Sequence, residues 1–122
     1  MTQERKVALV TGASRGIGAA IAQQLIQDGY FVVGTATSES GAEKLSVTFG
    51  ENGAGKLLDV RDGAAIDGLV SDIEQNYGPV LILVNNAGIT KDNLLLRMSE
   101  DDWDDILIIH LKAVYRLSKR VL

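Results

Sequence analysis

Three glycines fall within seven residues of Thr11-Gly12-Ala13-Ser14-Arg15-Gly16-Ile17-Gly18, between a short apolar run and a segment of helical periodicity. A glycine-rich turn that leaves a strand and opens a helix is suited to holding a pyrophosphate. Gly12 would permit the tight turn, Gly16 the close approach of backbone to phosphate, and Gly18 the packing of helix on sheet. The N–H groups at the helix start would then face the anion. The spacing is Gly-x-x-x-Gly-x-Gly rather than the commoner Gly-x-Gly-x-x-Gly, and without a following Lys-Ser/Thr pair it is no P-loop. Glycines alone would fit a plain turn and helix start equally well. The strand before them points to a nucleotide.

Which nucleotide depends on the end of the second apolar run. A carboxylate there would accept from a ribose 2′-hydroxyl and repel a 2′-phosphate. The run instead continues as Gly34-Thr35-Ala36-Thr37-Ser38, with no acid before Glu39. Arg15 can reach the same region and pair with a 2′-phosphate. Together these favour NADP over NAD; the competing reading of Arg15 is a solvated loop charge.

The elements that must hold this turn follow from the apolar pattern. Four runs, at 7–10, 31–35, 56–60 and 80–84, read as strands; Val7, Ala8, Leu9 and Val10 are apolar on both faces, as in a parallel strand covered by helices. Ile17, Ile21 and Leu25 mark a first helix, stopped by Gly29 after Asp28. Ala42, Leu45 and Phe49 mark a second, closed by Gly50. Ile66, Leu69, Val70 and Ile73 mark a third, ending at Tyr77 before Gly78-Pro79. A fourth starts at Ser99, an N-cap followed by Glu100, Asp101 and Asp102 at the positive end of the helix dipole. It runs through Trp103, Ile106, Leu107, Leu111, Val114 and Leu117. Four β-α units with right-handed crossovers make a single α/β, doubly wound domain over residues 1–122.

Composition narrows the classes. The 122 residues carry 12 basic and 16 acidic side chains, a net charge of -4, with no field to gather nucleic acid or an anionic membrane. Lys112, Arg116, Lys119 and Arg120 read as a solvated helix face. Without cysteine there are no disulfides or thiolate metal sites. No apolar run approaches the ~20 residues of a membrane span, and Thr2-Gln3-Glu4-Arg5-Lys6 does not resemble a signal peptide. A soluble, cytoplasmic setting is the expectation, with no metal, nucleic acid or membrane as partner.

With the turn at 11–18 and Asn85-Asn86-Ala87-Gly88 after the fourth strand, the whole chain resembles the short-chain dehydrogenase/reductase family. Residues 34–38 and 88–98 look more narrowly like the bacterial 3-oxoacyl-[acyl-carrier-protein] reductases of fatty acid synthesis. The resemblance implies a Rossmann-type sheet of order 3-2-1-4 and a cofactor site for NADPH. Gly12, Ala13, Ser14 and Arg15, with Gly16, Ile17 and Gly18, would hold the pyrophosphate and 2′-phosphate, and Thr37 would sit at the adenosine end. Asp59 and Val60 would flank the adenine, the carboxylate accepting from its amine. Asn86 would contact the nicotinamide-side ribose, with Ala87 and Gly88 close to it. Read by themselves, Asp59 is a strand-end acid in solvent and the asparagines are turn residues. The family also implies an acyl-carrier-protein-linked or CoA-linked 3-oxoacyl substrate and a homo-oligomer, a tetramer.

Members of that family rely on a serine and a Tyr-x-x-x-Lys pair that cannot be placed in these 122 residues. Tyr115 and Lys119 have the spacing but lie in the fourth helix, where the family has packing and interface residues. His110 stands where the family has a relay asparagine; an imidazole can donate and accept and hold a water, although a lone helix histidine is more often structural. Ile108 is a second departure. Without general acid catalysis, which is worth ~10²–10⁴-fold, the chain is expected to bind cofactor weakly and not turn over alone. Ending at Leu122, it would lack the family's later strands and leave the fourth strand as an apolar edge, so that the isolated chain is expected to self-associate through it or to survive only with a partner. The rival reading is a non-catalytic dinucleotide-binding module; a methyltransferase-like binder fits Asn85-Asn86-Ala87-Gly88 poorly.

Overall fold

The computed structural model describes residues 5–88 and 95–122. Its strands are β1 (Val7–Val10), β2 (Phe31–Ala36), β3 (Gly53–Leu57) and β4 (Val80–Val84). They are separated by α1 (Gly16–Gln27), α2 (Glu39–Phe49) and α3 (Gly63–Asn76). All pairings are parallel and the order is β3-β2-β1-β4, the doubly wound arrangement expected. After β4 come α4 (Glu100–Leu107), a π-helical turn (Ile108–Lys112) and α5 (Ala113–Val121).

Strand periodicity divides the core into two layers. Val7 and Leu9 of β1 face α3 and α5, where Ile66, Leu69, Ile73, Ile109, Ala113 and Leu117 meet them. Ala8 and Val10 face α1 and α2, packing with Ala22, Leu45 and Phe49. The second layer is thin because its residues are small: a Cβ on Gly34 would stand 2.8 Å from Ala13 Cβ and 3.0 Å from the Phe49 ring. Small side chains there let the turn after β1 lie close to β2.

Three helices begin as their sequences dictate. Ser38 accepts from Gly41 N at 3.1 Å, Asp62 from Ala65 N at 3.1 Å, and Ser99 from Asp102 N at 3.0 Å. Gly29 and Gly50, both at positive φ, close α1 and α2.

Three expectations need correction. The third strand is Gly53–Leu57, not 56–60; Gly53, Ala54 and Gly55 carry no apolar pattern, and Leu58 to Val60 form the loop beyond it. Gly55 is there because a Cβ would strike the Ala42 carbonyl and the Leu45 side chain of α2. On α1 the buried face is Gly18 and Ala22, whereas Ile17 is 73% exposed and Ile21 and Leu25 are half-buried. The fourth helix is interrupted by the π-turn, and its buried line is Ile109, Ala113 and Leu117, with Trp103 and Leu111 largely outside. Strand β4 lies at the edge of the described sheet. A register shift between Val7 and Ala8 leaves Leu81 without an opposite residue and exposed.

Two glycines give opposite expectations. Gly55→Ala should lower stability in urea melts by ~2–3 kcal/mol through overpacking against α2. Gly68→Ala, on α3 with open space around it, should raise it by ~0.5–1 kcal/mol.

Candidate functional site

The C-terminal ends of all four strands open into one groove of about 310 Å³. Gly12, Thr35 to Thr37, Leu58 to Arg61, Ala87 and Gly88 line it, with Asp105 and Ile109 closing one side. A crevice outside the carboxyl ends of parallel strands is where open α/β sheets bind ligands.

The turn after β1 is fixed by a small hydrogen-bond array. Thr11, 1% exposed, accepts through Oγ1 from the N–H groups of Asn86 and Ala87, each at 3.0 Å, and donates to the Val84 carbonyl at 3.4 Å. Asn86 Nδ2 donates to the Gly12 carbonyl at 2.9 Å. Gly12 N donates to Thr35 Oγ1 at 3.2 Å, and Ala13 N to the Thr35 carbonyl at 2.9 Å. The first turn thus has its polar groups engaged with β2 and with the end of β4. Gly12 has φ +64, and a Cβ there would lie 3.0 Å from Ala87 Cα. A Cβ on Gly18 would collide with the Gly12 carbonyl and Asn86 Nδ2. Both positions need glycine for close approach.

Gly16 differs. It has φ +61, and no atom lies within 4 Å of the point a Cβ would occupy, so it serves the turn and leaves open space beside the backbone. Helix α1 also starts without a side-chain cap, because Arg15 occupies that position in extended conformation and offers no acceptor. Its first N–H groups therefore have no side-chain acceptor from the cap. Open backbone, uncapped amides and the positive end of a 12-residue helix dipole beside the groove suit a pyrophosphate. The residues present fit a dinucleotide.

Thr37, Asp59, Val60, Ala87 and Gly88 join Gly12 in the groove wall. Arg15, Ser14, Gly16 and Ile17 form the exposed rim at the start of α1, whereas Ala13 and Gly18 are buried beneath it. Ser14 and Ala13 instead border a smaller crevice between α1 and α2, with Gly41 and Lys44. His110 lies in the π-turn, and a Cβ on Gly88 would meet its Cε1 at 2.7 Å. Tyr115 and Lys119 sit on the outside of α5, with Lys119 Nζ 5.8 Å from the ring centroid of Tyr115. The segment 89–94, part of the narrower motif, is outside the described residues.

Four residues of the site escape sequence reasoning. Thr11 and Thr35 look like ordinary strand-end threonines, yet both are 1% exposed and both accept backbone amides. Arg61 and Asp105 are distant in sequence but flank the same groove. Arg61 binds Asp59 bidentately, with Nη2 2.7 Å from Oδ2 and Nε 3.0 Å from Oδ1. That hydrogen bonding holds the Asp59 carboxyl below its ordinary value, against a smaller opposing effect of burial, and raises the pKa of Arg61. A lowered carboxylate adds stability above the ordinary carboxylate pKa and loses it as pH falls through the lowered one. Both side chains are 48% exposed, so solvent screening keeps that contribution small.

The array around Thr11 gives a direct expectation. Thr11→Val keeps the shape but leaves the Ala87 amide without its acceptor and the Asn86 amide with only the Val84 carbonyl at 3.1 Å, and should cost ~1–3 kcal/mol. Hydrogen exchange at those two amides should accelerate more than exchange within β1. Unchanged protection there would show that the hydroxyl does not fix the turn.

Comparison with known proteins agrees with this geometry. The short chain dehydrogenase family model matches residues 6–122. The 3-oxoacyl-[acyl-carrier-protein] reductase FabG of Salmonella typhimurium is 55% identical over 122 residues, 100% of this chain and 50% of that protein. Its counterpart in Escherichia coli is 54% identical over the same 122 residues, again 50% of the relative. The chain thus spans about half the length of these curated relatives. A crystal structure of a short-chain dehydrogenase from Streptomyces avermitilis superimposes with a TM-score of 0.89 at 36% identity, covering 99% of this chain and 44% of that one. With its glycine turn, its 3-2-1-4 sheet and its Asn86–Gly12 contact, the chain belongs to the short-chain dehydrogenase family.

Proposed function

We propose that this chain is the NADP(H)-binding portion of a reductase that acts on 3-oxoacyl thioesters. The observation that carries the reading is that a β2 end without a carboxylate, Asp59, Ala87 and Gly88 line one groove with Gly12, the first residue of the turn that leads to the uncapped α1 terminus. The naming of the relatives as 3-oxoacyl-[acyl-carrier-protein] reductases supports the substrate class.

In this reading Arg15 and Thr37 meet the adenosine 2′-phosphate, and the amides at the start of α1 meet the pyrophosphate. Ser14 and the backbone at Gly16 complete that contact, with Ile17 beside it. Asp59 and Val60 take the adenine, and Asn86, Ala87 and Gly88 border the nicotinamide-side ribose. Bound NADPH would supply the hydride. His110 beside Gly88 stands at the relay position, able to hold a water or proton there. In this reading the 122 residues supply the cofactor-binding groups. The assembled enzyme is a cytoplasmic homo-oligomer, tetrameric by family resemblance, whose substrate is carried on acyl carrier protein or CoA.

A fluorescence titration tests the cofactor assignment. NADPH should bind saturably and more tightly than NADH. Arg15→Ala should weaken NADPH by ~10–100-fold, as expected for loss of a charge-assisted bond, with little change for NADH. Equal affinity of the unaltered chain for the two cofactors would overturn the NADP assignment.

A further inference from the structure

Arg61 is absent from the roles assigned above, although it occupies the lip of the groove where the adenine is placed. Its bonds to Asp59 are unusually complete. The Arg61 amide donates to Oδ1 at 3.0 Å, Nε lies 3.0 Å from Oδ1 and 3.2 Å from Oδ2, and Nη2 lies 2.7 Å from Oδ2. A carboxylate has about four lone-pair directions, and three N–H groups of one arginine, the backbone amide, Nε and Nη2, engage three of them. An exocyclic amine approaching Asp59 therefore shares the carboxylate with the guanidinium and competes with it for the acceptors. Meanwhile Nη1 of the same guanidinium lies 3.6 Å from Asp105 Oδ1 on α4, a second carboxylate on the same groove wall. The backbone of Arg61 is held independently, since Arg116 Nη1 donates to its carbonyl at 3.1 Å. The side chain can therefore shift while its loop stays in place.

We propose that Arg61 is a two-station latch that sets selectivity for the base. With the groove free it clamps Asp59 through three N–H groups; when a purine amine takes an oxygen of Asp59, the guanidinium moves its bonds toward Asp105. This rests on the NADP(H) reading above. The latch competes with a base that presents an amine donor, as adenine does. It favours a base that presents an oxo group, as hypoxanthine does, because the guanidinium can donate to that oxygen while a bare carboxylate repels it. Arg61 is thus a specificity-determining residue that moderates the preference for adenine, and it links the adenine end of the groove to α4.

The test titrates the full chain with NADPH and with its hypoxanthine analogue, reduced nicotinamide hypoxanthine dinucleotide phosphate. Arg61→Ala should tighten NADPH about threefold to tenfold and weaken the analogue, so that the ratio of their affinities rises by roughly tenfold or more. Arg61→Lys keeps the charge but not the planar fork, and should raise the ratio by an intermediate factor. Asp105→Asn should weaken NADPH severalfold in the presence of Arg61 and have no effect in the Arg61→Ala background. In the free chain, NMR titration of the Asp59 carboxyl should show its pKa return upward in Arg61→Ala. An unchanged affinity ratio in both Arg61 variants, with NADPH still bound, overturns the latch and leaves the cofactor reading standing. Equal weakening of both nucleotides by Arg61→Ala also overturns it, because Arg61 would then be only a cation for the phosphates. Failure of the unaltered chain to bind either nucleotide overturns the cofactor reading and the latch together.

Discussion

Two backbone amides, those of Asn86 and Ala87, end on a single hydroxyl, that of Thr11. This contact joins segments 75 residues apart and draws the end of β4 against the turn that follows β1. The rest of the site takes its spacing from it. Because the turns are this close, Asn86 Nδ2 reaches the Gly12 carbonyl, and Gly12 and Gly18 can bear no side chain. Because the Gly12 and Ala13 amides are turned toward Thr35 on β2, the later amides at the α1 terminus are the ones left to meet a ligand. The glycines are therefore consequences of a hydrogen-bond geometry as much as of phosphate binding. A loose turn would need them less.

The sheet serves this contact by being thin on one side. Four alanines stand beside Val10, Val32, Leu45 and Phe49 in the α1 and α2 layer, where valine, leucine and isoleucine make up all but Ala113 of the α3 and α5 layer. Burying small side chains contributes less per residue, and the larger layer compensates with Leu9, Ile66, Ile73 and Leu117, all under 2% exposed. The fold holds a closely approached nucleotide turn on one face by concentrating its hydrophobic stabilisation on the other.

Much of this is legible in the chain itself. The strand order follows from a family resemblance, but the alternation of elements follows from apolar periodicity, and the buried face of α3 is the one its spacing predicts. Ser99 and Gly29 act as the cap and stop their residue types suggest. The departures have physical causes. Strand β3 starts earlier than hydropathy suggests because its burial is mediated by absent side chains: Gly53 and Gly55 are strand residues that admit Phe49, Leu45 and the α2 backbone. A hydropathy pattern cannot register a contact made by glycine. Helix α1 misleads in the same way, since Gly18 and Ala22 face the sheet and the larger Ile17 is turned outward. Among site residues, Gly12, Thr37, Asp59, Val60, Ala87 and Gly88 are legible in sequence and meet on one groove. Arg61 and Asp105 are not legible, because they meet only through tertiary packing.

The last helix meets the wall of that groove on either side of its π-turn. A π-turn adds a residue to a helical turn and shifts the phase of everything after it. Before it, α4 places Asp105 beside Arg61; within it, His110 lies against Gly88 and Ile109 enters the core. After it, Ala113 and Leu117 continue the buried line four residues apart, and Arg116 reaches the Arg61 carbonyl. The helix thus contacts the loop after β3 twice and the turn after β4 once.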